Sequence, residues 1–405
     1  MIRRTLALLT ALTALTALTA CDDEAQPDPQ NTARADGSGP AADLSDGKAD
    51  DAHADGAPRD AHPGEDAAPD GAVADAERPA EADAAPPADP RPPWQVCETA
   101  ADPVGPTEDW RHLSNEVITL GHAGHSAQDV LAPTDRATAL PGKFAYGAIS
   151  KDLEDEDVEV QVSDCAGGWR LLGRARTDGD GRIALNLPQG ALPPVGQHDV
   201  ALRVVGDGSV ARSRLFVTPP GAHLMVFDID GTLTTDDLEL FRDVLADLFE
   251  PILNGDYVPE ARAGGLELTR LRRFDQGRLV VYLTGRPYVL TDISRGWLAE
   301  LGFPVGPLHV VDAVSDVLPT NGQVGDYKAD YLRHLQGLGY VIDAAYGNAT
   351  TDIYAYAQAG IVPARTFIAG THGGEGGTVA VGDDWLSHLP QAAADALPAQ
   401  VFFDP

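Results

Sequence analysis

The chain has 405 residues, with 62 Asp and Glu against 29 Lys and Arg and a formal net charge of −33. A surplus of that sign excludes a protein that holds nucleic acid or another polyanion through Lys and Arg. Residues 22–93 contain no aromatic side chain and almost no branched aliphatic one, so they cannot bury enough apolar area to offset the entropy of ordering them. Roughly 310 residues remain to fold, which suggests about two domains.

Arg3 and Arg4 precede an apolar run from Leu6 to Leu18 that ends in Leu18-Thr19-Ala20-Cys21. This is the pattern of a signal peptide, and the run is shorter than the roughly 20 apolar residues a membrane helix needs. The ending resembles the bacterial lipobox, which implies lipidation of Cys21 and a chain anchored on the extracytoplasmic side of a bacterial cell envelope. An ordinary secretory signal is the alternative. Residues 22–93, with 5 basic against 19 acidic residues, read as a disordered tether. Its random-coil reach is roughly 45 Å.

With Cys21 assigned to the anchor, Cys97 and Cys165 are an even pair in an exported chain. A disulfide between them is expected, with two unrelated thiols as the alternative.

Residues 94–219 read as a small all-β sandwich. Val158, Val160 and Val162 alternate with polar side chains, and short runs follow at Trp169 to Leu172, Ile183 to Leu187, Asp199 to Val205 and Val210 to Val217. Asp178-Gly179-Asp180-Gly181 separates two of them and suits a hairpin turn better than a calcium loop, because it lacks the downstream Glu. His122 and His125 have metal-like spacing but no evident third ligand.

Residues 220–405 alternate apolar runs with helical patterns, which predicts an α/β fold with a parallel sheet. The expected strands are His223 to Phe227, Leu279 to Leu283, Leu308 to Val311, Val341 to Tyr346 and Thr366 to Ile368. Four clusters fall at strand ends or helix starts, where such sheets open a crevice. Asp228-Ile229-Asp230-Gly231-Thr232 offers two carboxylates that can divide labour, one attacking phosphorus and one exchanging protons. Gly231 permits the turn, and Thr232 offers a hydroxyl and an N–H to a phosphate. Thr284-Gly285-Arg286 follows, with the Thr hydroxyl and Gly N–H suited to a phosphoryl oxygen. Lys328 is the single Lys of residues 220–405 and can neutralise a phosphate beside the nucleophile. Asn348 and Asp352 supply the hard oxygens that Mg²⁺ takes.

These motifs in this order resemble the haloacid dehalogenase-type phosphohydrolases. The wording Asp-Ile-Asp-Gly-Thr, Tyr-Leu-Thr-Gly-Arg-Pro and Gly-Asn-x-x-x-Asp-Ile-Tyr-Ala-Tyr is similar to the lipin branch over residues 223–370. The resemblance implies a HAD-like Rossmannoid sheet with Asp228 as nucleophile and Asp230 as acid/base. It places the transferring phosphoryl group on Thr284 and Lys328, with Thr232, Gly285 and Arg286 around the substrate. Asp228, Asp352, Asn348 and the backbone carbonyl of Asp230 would ligate Mg²⁺. Further back, Gly142-Lys143-Phe144-Ala145-Tyr146-Gly147, Trp169 to Gly173, Thr177-Asp178 and Val205-Gly206-Asp207 resemble the β-module of membrane-associated phosphatidylinositol transfer proteins, whose animal members typically lack the nucleophilic Asp.

The resemblance implies a Mg²⁺-dependent phosphatase forming an aspartyl-phosphate, with a lipid phosphate such as phosphatidate as substrate. The alternatives are a phospholipid head-group binding module without turnover and a scavenger of soluble phosphate esters. One departure is an amphipathic pattern over residues 238–249, with Phe241, Val244, Leu245 and Leu248 on one stripe.

Overall fold

The structure is a computed structural model that describes residues 94–147, 150–235, 259–311 and 321–398. The expected signal peptide with Cys21, the tether over 22–93 and the helix over 238–249 lie outside the described residues.

The first module runs β1 (Gln95–Cys97), α1 (Leu113–Ile118), β2 (Ser126–Ala127), β3 (Val130–Pro133), β4 (Thr138–Lys143), β5 (Ala145–Tyr146), β6 (Lys151–Asp152), β7 (Asp157–Ser163), β8 (Trp169–Arg176), β9 (Arg182–Leu187), β10 (Gly196–Val204) and β11 (Val210–Thr218). Strands β3-β11-β10-β7-β8 form one sheet with β1 added beside β10, and β2-β4-β9 form a second. Alternation explains the layering. Val158, Val160 and Val162 of β7 face Leu140 of β4, Ile183 and Leu187 of β9, and Phe144 in one buried cluster. The Asp178 turn therefore joins strands of different sheets and is not a ladder hairpin. Its Oδ1 accepts the N–H groups of Asp180 and Arg182.

Cys97 and Cys165 are joined by a disulfide, S–S 1.97 Å, which ties β1 to the loop after β7. Among the described residues, the one group of three ligand-type side chains within reach of one another is Cys97, Cys165 and His198, and the disulfide engages both sulfurs. His125 is structural. Its Nε2 lies 2.9 Å from Ser209 Oγ, and its Nδ1 faces the Ala145 N–H.

The second module runs β12 (His223–Asp228), α2 (Gly265–Arg270), β13 (Leu279–Pro287), α3 (Thr291–Glu300), β14 (Leu308–Val311), α4 (Asn321–Gly337), β15 (Val341–Gly347), α5 (Thr350–Gln358), β16 (Thr366–Ile368), β17 (Val379–Ala380) and α6 (Leu389–Ala393). All five neighbouring pairs in the order β14-β13-β12-β15-β16-β17 are parallel. β12 is buried on both faces. Leu224 and Val226 pack with Ala329 and Leu332 of α4, while Met225 and Phe227 pack with Leu268 of α2 and Trp297 of α3. The chain moves outward from β12 to β14 and returns to β15 on the other side. The C-terminal ends of β12 and β15 therefore flank the switch point where such sheets open a crevice.

The two modules belong to one compact unit. Trp94, Leu131, Val195 and Phe216 of the first share a cluster with the α4 and α5 face of the second. Asp129, fully buried, accepts the Leu308 N–H at 3.0 Å and pairs with Arg295 at 2.7 Å, while the Gln128 amide donates to Val310 O at 2.7 Å. Among the described residues, no helix is long and apolar enough to cross a membrane.

Candidate phosphate-ester site

Asp228 closes β12 and is 1% exposed. The chain then turns sharply, with Gly231 at φ 71°. Side chains other than glycine are strained there, and a Cβ would also collide with the Asn348 amide. The turn is held by the Leu233 and Thr234 N–H groups donating to Ile229 O and by Arg262 donating to Gly231 O at 2.6 Å. Trp385 adds a bond from Nε1 to Thr232 O at 2.8 Å.

Lys328 comes from α4 with no exposed surface, and its Nζ lies 2.9 Å from Asp228 Oδ1 and 2.8 Å from Asp352 Oδ1. One ammonium thus bridges the end of β12 to the first turn of α5, the helix that follows β15, at the switch point. The other oxygen of Asp352 accepts the N–H groups of Asn348 and Ala349 at 3.0 and 3.1 Å, which caps α5. Gly347 must lack a side chain because a Cβ would stand 2.6 Å from that of Asp352.

Asp230 turns the other way. Its Oδ2 accepts the Thr284 hydroxyl at 2.8 Å, and Arg286 reaches Oδ1 through Nη2 at 2.7 Å and Nε at 3.0 Å. Ser294 of α3 holds the remaining arm of Arg286 at 2.9 Å. The Thr284-Gly285-Arg286 cluster does not follow the strand as expected, because β13 continues to Pro287. Its pairing with β14 slips between Leu283 and Pro287, and the irregularity turns these side chains toward Asp230.

Asp228, Lys328, Asn348 and Asp352 therefore meet at one place, with Asp230, Thr284 and Arg286 beside them. Thr232 is fully buried, its hydroxyl donates to Asn348 Oδ1 at 2.9 Å and its N–H points to Ile229 O, so in this structure it braces the loop beside the site. Arg262, Ser294 and Trp385 escape sequence reasoning, because nothing in their local pattern reports a contact made across tens of residues.

The oxygen-only donors Asp228, Asp352 and Asn348 fit a hard divalent cation such as Mg²⁺. The charges point the same way. Three carboxylates face Lys328 and Arg286, so this set of five carries a net −1 before any phosphate arrives.

The family model for the LNS2 domain of PITM 1-3 matches residues 225–370, and that for the PITM 1-3 beta-sandwich domain matches residues 123–217. The chain is similar to membrane-associated phosphatidylinositol transfer proteins. It is 32% identical to protein 3 of Mus musculus over 67% of this chain and 26% of that one, and 31% identical to the Homo sapiens form over the same shares. Protein retinal degeneration B of Drosophila melanogaster is 30% identical over 74% of this chain and 23% of its own. The chain spans about a quarter of the length of these relatives. The LNS2 match supports the lipin-related, HAD-like fold expected for the second module, and the sandwich match falls on the first.

Proposed function

We propose that the crevice at the end of β12 binds the phosphate-ester head group of a phospholipid together with a divalent cation. The observation that carries this reading is Lys328 bridging Asp228 and Asp352 at the switch point. A phosphate brings up to two further negative charges into a set already at −1, so a cation must enter with it. Asp228, Asp352 and Asn348 would hold that ion, which supplies charge neutralisation at the phosphoryl oxygens when bound. The relatives named as phosphatidylinositol transfer proteins support a phospholipid as ligand. The signal-like N-terminus ending in Cys21 supports an extracytoplasmic, lipid-anchored location.

Hydrolysis is the second reading, favoured by the intact pair Asp228 and Asp230. An Asp228 oxygen would attack phosphorus while the ester P–O bond breaks and the leaving oxygen takes a proton from Asp230. Water would then attack the same phosphorus, giving a proton back to Asp230, as the P–O bond to Asp228 breaks and inorganic phosphate leaves. Both Asp230 oxygens accept hydrogen bonds from Arg286 or Thr284, so this route requires Arg286 to release Asp230 when the phosphate enters.

Binding and release of phosphate are measured together on short-chain phosphatidate and on a soluble monoester, with Mg²⁺ and with EDTA. Mg²⁺-dependent binding supports the head-group reading, and Mg²⁺-dependent release that Asp228→Asn abolishes adds hydrolysis. Binding of equal strength in EDTA overturns the cation argument.

A further inference from the structure

His198 of β10 is fully buried, and its Nε2 lies 2.8 Å from Pro194 O. A carbonyl only accepts, so that nitrogen carries the proton. Burial pushes the pKa of the ring below its ordinary value and keeps it neutral, which leaves Nδ1 as a lone pair. Nδ1 faces Cys165 Sγ at 3.9 Å. A disulfide sulfur has no proton to give, so that contact does not satisfy the lone pair. A histidine with one nitrogen donating to a backbone carbonyl and the other aimed at sulfur has the arrangement of a metal ligand whose supporting bond is already made.

Each of the three side chains is placed by backbone that does not depend on the S–S bond. Cys97 and His198 are register partners in the parallel pair β1 and β10, so they share a face. The Ser163 hydroxyl holds that end of β1 by donating to Cys97 O at 2.6 Å. Cys165 follows β7 in a turn where Asp164 Oδ1 accepts the Ala166 and Gly168 N–H groups at 2.9 and 2.8 Å. One ligand atom from each of Cys97, Cys165 and His198 lies within 4.8 Å of the others. A tetrahedral zinc ion, with Zn–S about 2.3 Å and Zn–N about 2.0 Å, sets S···N at roughly 3.5 Å and S···S at roughly 3.8 Å. Nδ1 already stands near the first spacing, and the sulfurs can adopt the second once the bond between them is broken.

We propose that Cys97, Cys165 and His198 hold a zinc ion when the disulfide is reduced, so that the ion and the S–S bond are alternative clasps between β1, β10 and the loop after β7. The inference is independent of the phosphate-ester reading. One thiolate of a dithiol attacks the exposed Cys165 sulfur, and Cys97 leaves. The second thiol then releases Cys165, so the dithiol ends as a disulfide and the chain has gained two electrons and two protons. Zn²⁺ takes both thiols as thiolates and releases those protons. Two thiolates balance the charge of the ion, and sulfur with imidazole nitrogen is the donor set it favours. Gln95 Oε1, 3.7 Å from Cys165 Sγ, stands beside the fourth position.

The test uses the full chain carrying Cys21→Ser, so that Cys97 and Cys165 are its two cysteines. It is prepared with the disulfide intact and after anaerobic reduction with a phosphine, which brings no thiol of its own to the metal. Each form is titrated with Zn²⁺ and with Co²⁺. The reduced chain is expected to take one Zn²⁺ more than the oxidised chain, and its Co²⁺ form to show thiolate-to-metal charge transfer with the visible bands of tetrahedral cobalt. The oxidised chain controls for metal held by the carboxylates of the phosphate-ester site, which give no such charge transfer. His198→Ala and Cys165→Ser are each expected to weaken Zn²⁺ binding at least tenfold in the reduced state. A His198→Ala chain that melts like the parent when oxidised and binds Zn²⁺ as tightly when reduced overturns the proposal. Equal zinc counts in the two forms, or unfolding on reduction that Zn²⁺ does not reverse, overturns it as well. If His198→Ala fails to fold, the zinc count and cobalt spectrum of the parent decide the point on their own.

Discussion

Arg286 grips both oxygens of Asp230, with Nη2 2.7 Å from Oδ1 and Nε 3.1 Å from Oδ2. The pair is buried, so the planar fork sets where the second carboxylate of the Asp-x-Asp motif points. Lys in place of Arg offers a single ammonium and cannot copy the fork. Arg286→Lys is expected to weaken Mg²⁺-supported phosphate binding about tenfold, or ~1.4 kcal/mol. Isothermal titration with phosphate checks this, and an unchanged affinity would place Arg286 outside the binding step.

Lys328 pairs with both Asp228 and Asp352, and all three are buried. Removing it leaves carboxylates facing each other out of water. Lys328→Met is expected to cost about 3 to 5 kcal/mol. A divalent cation can replace the missing charge, so millimolar Mg²⁺ should raise the melting temperature of the variant more than that of the parent. Calorimetry with and without EDTA decides the point.

Asp129 serves two modules at once, accepting the Arg214 N–H of β11, the Leu308 N–H of β14 and the Arg295 guanidinium of α3. Asp129→Ala leaves one buried and two partly buried donors without that acceptor, at roughly 3 to 5 kcal/mol. Because Arg295 lies on the helix that follows the Arg286 cluster, the loss should also appear at the site. Hydrogen exchange should speed up in α3 and β14 before it changes in β7.

Burial holds the His125 ring well below its ordinary value, at about 4, with Asp207 and His122 as the charged neighbours. The folded state keeps the ring neutral, and the unfolded state takes up a proton below about 6.5. The stabilisation is complete above that value and declines as pH falls toward 4. His125→Asn should flatten this slope, by on the order of 2 kcal/mol across the window. Denaturant midpoints at several pH values measure it, and equal slopes would remove His125 from the cause.

Five of the six strands of the second module were legible as short apolar runs, and three of them, as in Leu224 to Asp228, end at a chemical cluster, whereas the two-residue β17 was not seen. Lys328 stood out because Arg supplies the other cations of that region. The grip of Arg286 on Asp230 was hidden, since the two are separated by 56 positions and meet only because β13 slips against β14. β2, β5 and β6, with two residues each, carry no period to detect. The bond from the Thr232 hydroxyl to Asn348 was hidden as well, because nothing in the local pattern brings a residue 116 positions away beside the turn.

The apolar cluster that Trp94, Leu131, Val195 and Phe216 share with Leu332 and Tyr356 sets how the gene can be cut. A truncation beginning near residue 220 would strip a greasy patch bare beneath the helix that carries Lys328. Such a fragment is expected to aggregate or lose cooperativity, and its failure to act would report on its broken scaffold and say nothing about its chemistry.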